Sequence, residues 1–248
     1  MHRTHTHIDY VVERALASFL GIDHHNLFQI STSNALVKGV FQGCIHVSDI
    51  KLHGDFGLGT FSELDGEMIL LDGHCYQALA SGKVNEAEDD WLVPFGVATH
   101  FNADKTYRLE QVNGFEDLGQ QIDPLRPSEN IFVGLRLEGT YDVLKMRTVC
   151  KAHPGEDLVA ATRHQSTFEL SDIQGTLVGF WTPTYARTIN VPGYHLHFIS
   201  ENRKLGGHLL DIQAKDLQLA LPLGNGIPYG YSRNTGISHS GSEWRPKR

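Results

Sequence analysis

Alternating apolar and polar positions dominate the chain after Gly54 and predict β-strands rather than helices. Asp-Gly pairs at 65–66 and 72–73 are typical of tight turns, so the apolar segments around them predict a meander. Further strands are predicted at 95–101, 105–112, 131–137, 141–149, 166–180, 194–199, 208–213 and 216–221.

Only a few segments have helical spacing. Residues 9–20 predict a helix that ends at Gly21, residues 31–37 a short helix with a polar cap, and residues 114–122 a third. Residues 151–163 predict a connecting loop. Mostly antiparallel sheet with a few segregated helices indicates the α+β class.

The pattern divides the chain into four parts. We predict a helical extension over 1–26, a β-rich domain over 27–163, an antiparallel sheet over 164–221 and a Gly- and Ser-rich tail over 222–248.

Composition narrows the class of partner. The 248 residues carry a formal net charge of −8 without a Lys/Arg cluster, which argues against nucleic acid and anionic membranes as partners. Three widely spaced cysteines (Cys44, Cys75 and Cys150) indicate free thiols in a reducing compartment. No apolar run approaches a membrane helix, and we expect a cytoplasmic protein.

The segment 193–199 (Gly-Tyr-His-Leu-His-Phe-Ile), followed by Gly-Gly-His at 206–208, predicts a metal site. In a strand, His195 and His197 point to the same face. A turn at 201–204 would return the chain so that His208 lies opposite His197. Three imidazoles that leave one position open are typical of a catalytic zinc site.

Other histidines have simpler interpretations. His5-Thr6-His7 lies in a polar tail, where we expect it to be solvated. We interpret the rest as surface or hydrogen-bonded residues: His24, His25, His46, His53, His74, His100, His153, His164 and His239.

Several separated motifs, from about residue 27 to about residue 221, resemble the α-acetolactate decarboxylase family. They are 54–61 (Gly-Asp-Phe-Gly-Leu-Gly-Thr-Phe), 64–67 (Leu-Asp-Gly-Glu), 145–149 (Lys-Met-Arg-Thr-Val), 175–180 (Gly-Thr-Leu-Val-Gly-Phe), 192–198 and 206–208. The resemblance implies two packed β-sheet domains, a homodimer and the production of acetoin, a step toward butanediol.

The resemblance also implies roles for individual residues. His195, His197 and His208 match the family's zinc ligands, Glu67 its active-site glutamate, Arg147 its arginine and Thr60 a pocket threonine. The family carries a further acidic residue near its C-terminus, and the segment 222–248, whose only glutamate is Glu243, departs from that pattern.

The chemistry of these residue types is consistent with decarboxylation of 2-acetolactate to acetoin and CO2. Loss of CO2 moves an electron pair toward the ketone, and a zinc ion chelated by the hydroxyl and keto oxygens would stabilise the resulting enediolate as a Lewis acid. Arg147 would hold the carboxylate, and Glu67 would act as a base or proton relay.

Two alternatives stay open from the residues alone. A cupin-like metal oxygenase or isomerase is suggested by His195, His197 and Glu201. A zinc-stabilised or small-ligand-binding module without catalysis is suggested by the atypical tail.

Overall fold

The computed structural model describes residues 26–222 and 229–232. Their strands pair mostly antiparallel and their helices are few and short, which confirms the α+β prediction. The helix predicted over 9–20, Glu243, and the histidines of the two terminal segments lie outside the described residues.

The strands in chain order are β1 (Leu27–Ile30), β2 (Ile45–His46), β3 (Phe56–Thr60), β4 (Glu67–Leu71), β5 (His74–Ala78), β6 (Val84–Glu86), β7 (Leu92–Val93), β8 (Phe95–Thr99), β9 (Lys105–Asn113), β10 (Val133–Thr148), β11 (Ser166–Thr182), β12 (Gly193–Ser200), β13 (Gly206–Leu221) and β14 (Tyr229–Ser232). The α-helices are α1 (Ser33–Val37), α2 (Val47–Lys51), α3 (Phe115–Ile122) and α4 (Leu158–Thr162).

Seven strands form the first sheet, in the order β14-β1-β8-β3-β4-β5-β6. The consecutive antiparallel pairs β3–β4, β4–β5 and β5–β6 are the predicted meander, with Asp72-Gly73 connecting β4 to β5. Strands β2 and β7 form a separate two-stranded sheet.

The second sheet has five strands in the order β10-β11-β12-β13-β9. Because β10 also pairs with β13, the strands β10, β11, β12 and β13 form a closed ring of neighbours. This sheet carries the three histidines and begins at Lys105, before the predicted boundary at residue 163. The division of the chain into domains stays a prediction.

In two places, a pair of predicted strands forms one long strand in the structure. Residues 131–137 and 141–149 fall largely within β10, and 208–213 and 216–221 both lie within β13. The pairing of β10 with β13 shifts register between Glu138 and Tyr141, yet β10 stays hydrogen-bonded to β11 on both sides of the shift. A bulge therefore interrupts the hydrophobic pattern without ending the strand.

The predicted helices have mixed outcomes. The structure confirms the helix at 114–122 as α3 and the capped helix at 31–37 as α1, whose N-cap Thr32 accepts a hydrogen bond from the Ala35 amide. The prediction of a loop over 151–163 is wrong in part, because α4 lies within it with Asp157 as its N-cap.

Alternation along β11 and β12 gives the second sheet two apolar faces. Leu177, Leu196 and Phe198 pack inside the second sheet, in a cluster that includes Leu118 and Ile122 of α3. Their alternate neighbours pack against the first sheet, in a cluster that includes Phe56, Leu58, Ile69, Leu71, Val178, Phe180 and Ile199. The space between the sheets is thus a core, and side chains on these faces meet there.

Over the described residues, no helix is both long and apolar enough to cross a membrane. The three cysteines are free.

Candidate metal centre and active site

The three predicted histidines converge on the hairpin formed by β12 and β13. His197 pairs directly with His208, as the sequence predicts, and residues 201–204 form the connecting turn. His195 and His197 share the face of Ile199, which packs toward the first sheet, whereas Leu196 and Phe198 face the other core. The three ring centroids lie 4.9 to 5.3 Å apart.

Glycine at position 207 lets β13 approach β10 closely beside the histidines. A Cβ atom on Gly207 would lie 2.9 Å from the Arg147 carbonyl oxygen and 3.0 Å from the Thr148 methyl group. A larger residue would push the strands apart where His208 pairs with Arg147. The close approach of the two backbones therefore requires glycine at this position.

Hydrogen bonds define which nitrogens can bind a metal. His197 Nδ1 lies 2.9 Å from the carbonyl oxygen of Met68, and because a carbonyl only accepts, Nδ1 carries the proton. His197 Nε2 therefore carries a lone pair, and it lies 3.2 Å from His195 Nε2. The buried Nδ1 of His195 has no hydrogen-bond partner among residues 26–222 and 229–232.

The surroundings keep all three imidazoles neutral. Burial lowers the pKa of His197 from 6.5 to about 4, although its bond to the Met68 carbonyl acts in the opposite direction. Burial also lowers the pKa of His195 and His208 well below 6.5, assisted by neighbouring histidines and Arg147. Neutral imidazoles offer lone pairs to a metal without first losing a proton.

Glu67 faces the histidines from the first sheet. It begins β4 and shares a face with Ile69 and Leu71, which pack against the second sheet. Its Oε2 lies 3.5 Å from His197 Nε2, and its Oε1 accepts a hydrogen bond from the Val149 amide at 3.3 Å. Burial raises the pKa of this carboxyl from 4.5 to about 7, while the charge of Arg147 opposes the rise.

Arg147 reaches the same space from β10. Its Nη2 lies 3.4 Å from His208 Nε2, and its Nη1 donates to the side-chain oxygen of Gln165 at 3.0 Å. Arg147 is half-buried, as is Gln165, which immediately precedes β11. The guanidinium is thus fixed on one side and adds a positive charge beside the imidazoles.

Thr60 lies opposite Glu67 in the β3–β4 pairing and is only 5% exposed. Its hydroxyl donates to the Gly66 carbonyl at 2.7 Å, so it fastens the turn that leads into Glu67. The proton of this hydroxyl is already engaged.

The structure brings five of the six predicted residues into direct contact through side chains: Glu67, Arg147, His195, His197 and His208. Thr60 joins them through backbone pairing with Glu67. Sequence reasoning missed Gln165 and the Met68 carbonyl, and no local motif marks either. Glu201, considered as a cupin-type ligand, is exposed in the turn and outside the histidine cluster.

The residues present fit a divalent transition metal. The potential ligand atoms of His195, His197 and His208 all lie within 4.8 Å of one another. An unpartnered buried nitrogen and an oriented lone pair among three neutral imidazoles suit an ion better than a hydrogen-bond network. The bond from His197 to Met68 is the type of outer contact that orients a metal-binding imidazole.

Acid is expected to destabilise the metal-free protein. The unfolded chain protonates histidine below pH 6.5, whereas folded His197 stays neutral to about pH 4, so its contribution is lost as the pH falls across that window. For this buried residue the loss is of order 3 kcal/mol. Glu67 acts oppositely, because its raised pKa favours the folded state below pH 4.5 and this contribution disappears as the pH rises to about 7.

Urea unfolding of the protein, stripped of metal by a chelator, between pH 7 and pH 5 would measure the sum of these opposing contributions. The three histidines together lose more stabilisation than Glu67 gains, so the free energy of unfolding should fall toward pH 5. The fall should be shallower in His197→Gln. Stability that is constant or that rises toward pH 5 would contradict the expected burial of neutral imidazoles.

Comparisons with known proteins all indicate one family. The family model for alpha-acetolactate decarboxylase matches residues 27–231. An alpha-acetolactate decarboxylase of Methanosarcina mazei is 44% identical over 198 residues, which cover 79% of this chain and 69% of that protein. One from Brevibacillus brevis is 42% identical over 196 residues, covering 79% of this chain and 69% of the relative.

A solved structure has the same architecture. The crystal structure of alpha-acetolactate decarboxylase from Bacillus subtilis strain 168 superposes with a TM-score of 0.79 at 35% sequence identity. The match covers 83% of this chain and 88% of that one.

Proposed function

The chain belongs to the α-acetolactate decarboxylase family of carboxy-lyases, and from this premise we propose that it converts 2-acetolactate to acetoin and CO2 with zinc on His195, His197 and His208. The observation that carries the proposal is the meeting of these imidazoles with Glu67 and Arg147 between the two sheets. Cation, carboxylate and guanidinium are the groups that a hydroxy-keto acid needs around it.

The three imidazoles would hold the metal through lone pairs that burial keeps free of protons. When bound, the zinc ion would supply a Lewis acid that draws electron density toward the keto and hydroxyl oxygens of the substrate. With only three protein ligands, the metal would stay accessible to these oxygens.

Arg147 would bind the substrate carboxylate. Its guanidinium can donate two parallel hydrogen bonds to a carboxylate, which fixes the plane of the group before the carbon–carbon bond breaks. Gln165 accepts from Nη1, so the arginine is oriented before substrate arrives. Because CO2 leaves without charge, Arg147 would contribute mainly through orientation.

Glu67 would move the proton that replaces the lost carboxyl group. The Val149 amide holds Oε1, which leaves Oε2 directed at the metal centre, 3.5 Å from His197 Nε2. A carboxyl with a pKa near 7 can both accept and donate a proton at neutral pH. A bound dication would shift that pKa downward and favour the base.

Thr60 would contribute to substrate binding in two ways. Its hydroxyl fastens the turn that positions Glu67. Because its proton is engaged with Gly66, any contact to substrate would use the oxygen as an acceptor.

Membership of this family argues against both alternatives from the sequence, a cupin-like oxygenase and a non-catalytic binding module. A homodimer, a cytoplasmic location, and the absence of nucleic-acid and membrane partners stay predictions.

The direct test mixes purified protein with racemic acetolactate and measures CO2 and acetoin, with and without a chelator. Equal amounts of both products, lost on chelation and restored by Zn²⁺, would support the proposal. Unchanged activity in fully metal-stripped protein would contradict zinc dependence, and oxygen consumption in place of CO2 release would contradict decarboxylation.

Replacing Gln165 by alanine should weaken catalysis by releasing Arg147. A hydrogen bond to a charged group contributes about 1.5–3 kcal/mol, so kcat/KM should fall by roughly 10- to 100-fold. Steady-state kinetics would show a raised KM, and Gln165→Glu, which keeps an acceptor oxygen, should restore most of the loss. Gln111→Ala is the matched control, since the side chain of Gln111 is exposed on β9 and donates to Asn113. Equal effects of Gln165→Ala and Gln111→Ala would refute a positioning role.

A further inference from the structure

A second group of metal-binding side chains begins at the turn His153-Pro154-Gly155-Glu156. The Glu156 amide donates to the His153 carbonyl at 3.2 Å, with proline second and glycine third in the turn. Gly155 has a φ of +87°, as the third position of a type II turn requires. This turn brings the first and fourth side chains, His153 and Glu156, to one side.

Helix α4 then returns the chain to the turn. The Asp157 side chain caps it by accepting from the Ala160 amide at 2.8 Å. At its other end the His164 amide donates to the Ala161 carbonyl at 3.1 Å. Local hydrogen bonds therefore hold His164 beside Glu156, eight positions away along the chain.

One carboxylate oxygen lies close to both imidazoles. Glu156 Oε1 is 3.3 Å from His153 Nδ1 and 3.2 Å from His164 Nε2. The other oxygen, Oε2, accepts from the His153 amide at 2.8 Å, which fixes the orientation of the carboxylate. All three potential ligand atoms lie within 4.8 Å of one another.

The two distances from Glu156 Oε1 to the imidazole nitrogens match edges of a tetrahedral site. Metal bonds of about 2.0–2.1 Å place neighbouring ligand atoms roughly 3.3 Å apart. Two imidazoles and one carboxylate form a ligand set that zinc proteins use when one position is left to water. The imidazoles of His153 and His164 are 70% and 51% exposed, so the position would be open to solvent.

We propose that His153, Glu156 and His164 form a second, solvent-accessible site for a divalent transition metal of the zinc, nickel or copper class. It shares no residue with the histidine cluster of β12 and β13. The competing account is a hydrogen-bonded trio, in which both imidazoles donate to Glu156. The two accounts differ in metal stoichiometry.

Metal at this site would fasten the segment between Arg147 and Gln165. The three ligands span 153–164, and Gln165 follows directly with its contact to the arginine. Because the unfolded chain does not hold these groups together, metal binding would stabilise the folded segment.

Equilibrium dialysis of the full-length holoenzyme against Zn²⁺ would count the equivalents bound per chain. The wild type should bind one equivalent more than His164→Ala or Glu156→Gln, and Co²⁺ at this site should add a visible absorption band that both variants lack. The affinity for this equivalent should fall by more than the roughly 10- to 100-fold that is typical of removing an outer-shell partner.

His74→Ala is the matched control. His74 is 62% exposed and lies 2.9 Å from Glu86, and the described part of the chain offers no third ligand there, so its removal should leave the stoichiometry unchanged. The N-terminal histidines are identical in all these proteins and cancel in the comparison. The same number of equivalents in wild type and in His164→Ala, or an equal loss in His74→Ala, would overturn the proposal.

Discussion

Replacing His197 by alanine is expected to abolish both acetoin formation and metal binding at the histidine cluster of β12 and β13. His197 is fully buried, it pairs with His208, and its Nε2 lies 3.2 Å from His195 Nε2, so its loss removes the central ligand. A Lewis acid contributes several kcal/mol to such a reaction, which corresponds to at least about a thousandfold in kcat. Elemental analysis and acetoin assays on the same preparation would measure both quantities.

The variant also leaves the Met68 carbonyl without its donor, which will destabilise the protein. His208→Ala separates the two effects, because His208 is half-buried and does not bond to Met68. Both variants should lose the metal, whereas His74→Ala should keep metal and activity. A folded His208→Ala protein with the same metal content as the wild type would contradict the proposed ligand set.

The hairpin that carries the histidines was predictable because its information is local. A period of two places His195 and His197 on one face, and four turn residues place His208 opposite His197. The apolar neighbours Leu196 and Phe198 then require the opposite face to be the core. Each step needs only sequence neighbours and the geometry of an antiparallel ribbon.

The position of Glu67 beside the histidines could not be predicted from local sequence. It lies 130 positions before His197 and in the other sheet, and the sequence around it indicates only an Asp-Gly turn. Its proximity to the histidine cluster depends on how the two sheets pack. Family resemblance identified it, whereas local pattern could not.

The strand pairing of the second sheet could not be predicted from local sequence either. Alternation marks the strands β10 and β13, yet the ring closes only because β10 pairs with both β11 and β13. Such pairing depends on strands far apart in the chain. The contact of Gln165 with Arg147 follows from the pairing of β10 with β11, since β11 begins one residue after Gln165 and runs antiparallel to β10.

Replacing Arg147 by alanine should remove most of the turnover and leave the metal in place. Arg147 contacts His208 and Gln165 but is not one of the three imidazole ligands, so metal content should stay at the wild-type level. Loss of a bidentate contact to a buried carboxylate should reduce kcat/KM by roughly 10²- to 10⁴-fold. Arg147→Lys keeps the charge without the planar fork and should recover only part of the loss.

The pH profile distinguishes this role from a structural one. Arg147 lowers the pKa of Glu67, so its removal should raise that pKa further and move the pH dependence of residual activity upward. Arg147→Lys should leave the profile close to that of the wild type, because the positive charge is retained. If Arg147→Ala lost the metal, the arginine would instead be needed to maintain the ligand geometry. If it turned over acetolactate normally, the substrate carboxylate would have to bind elsewhere.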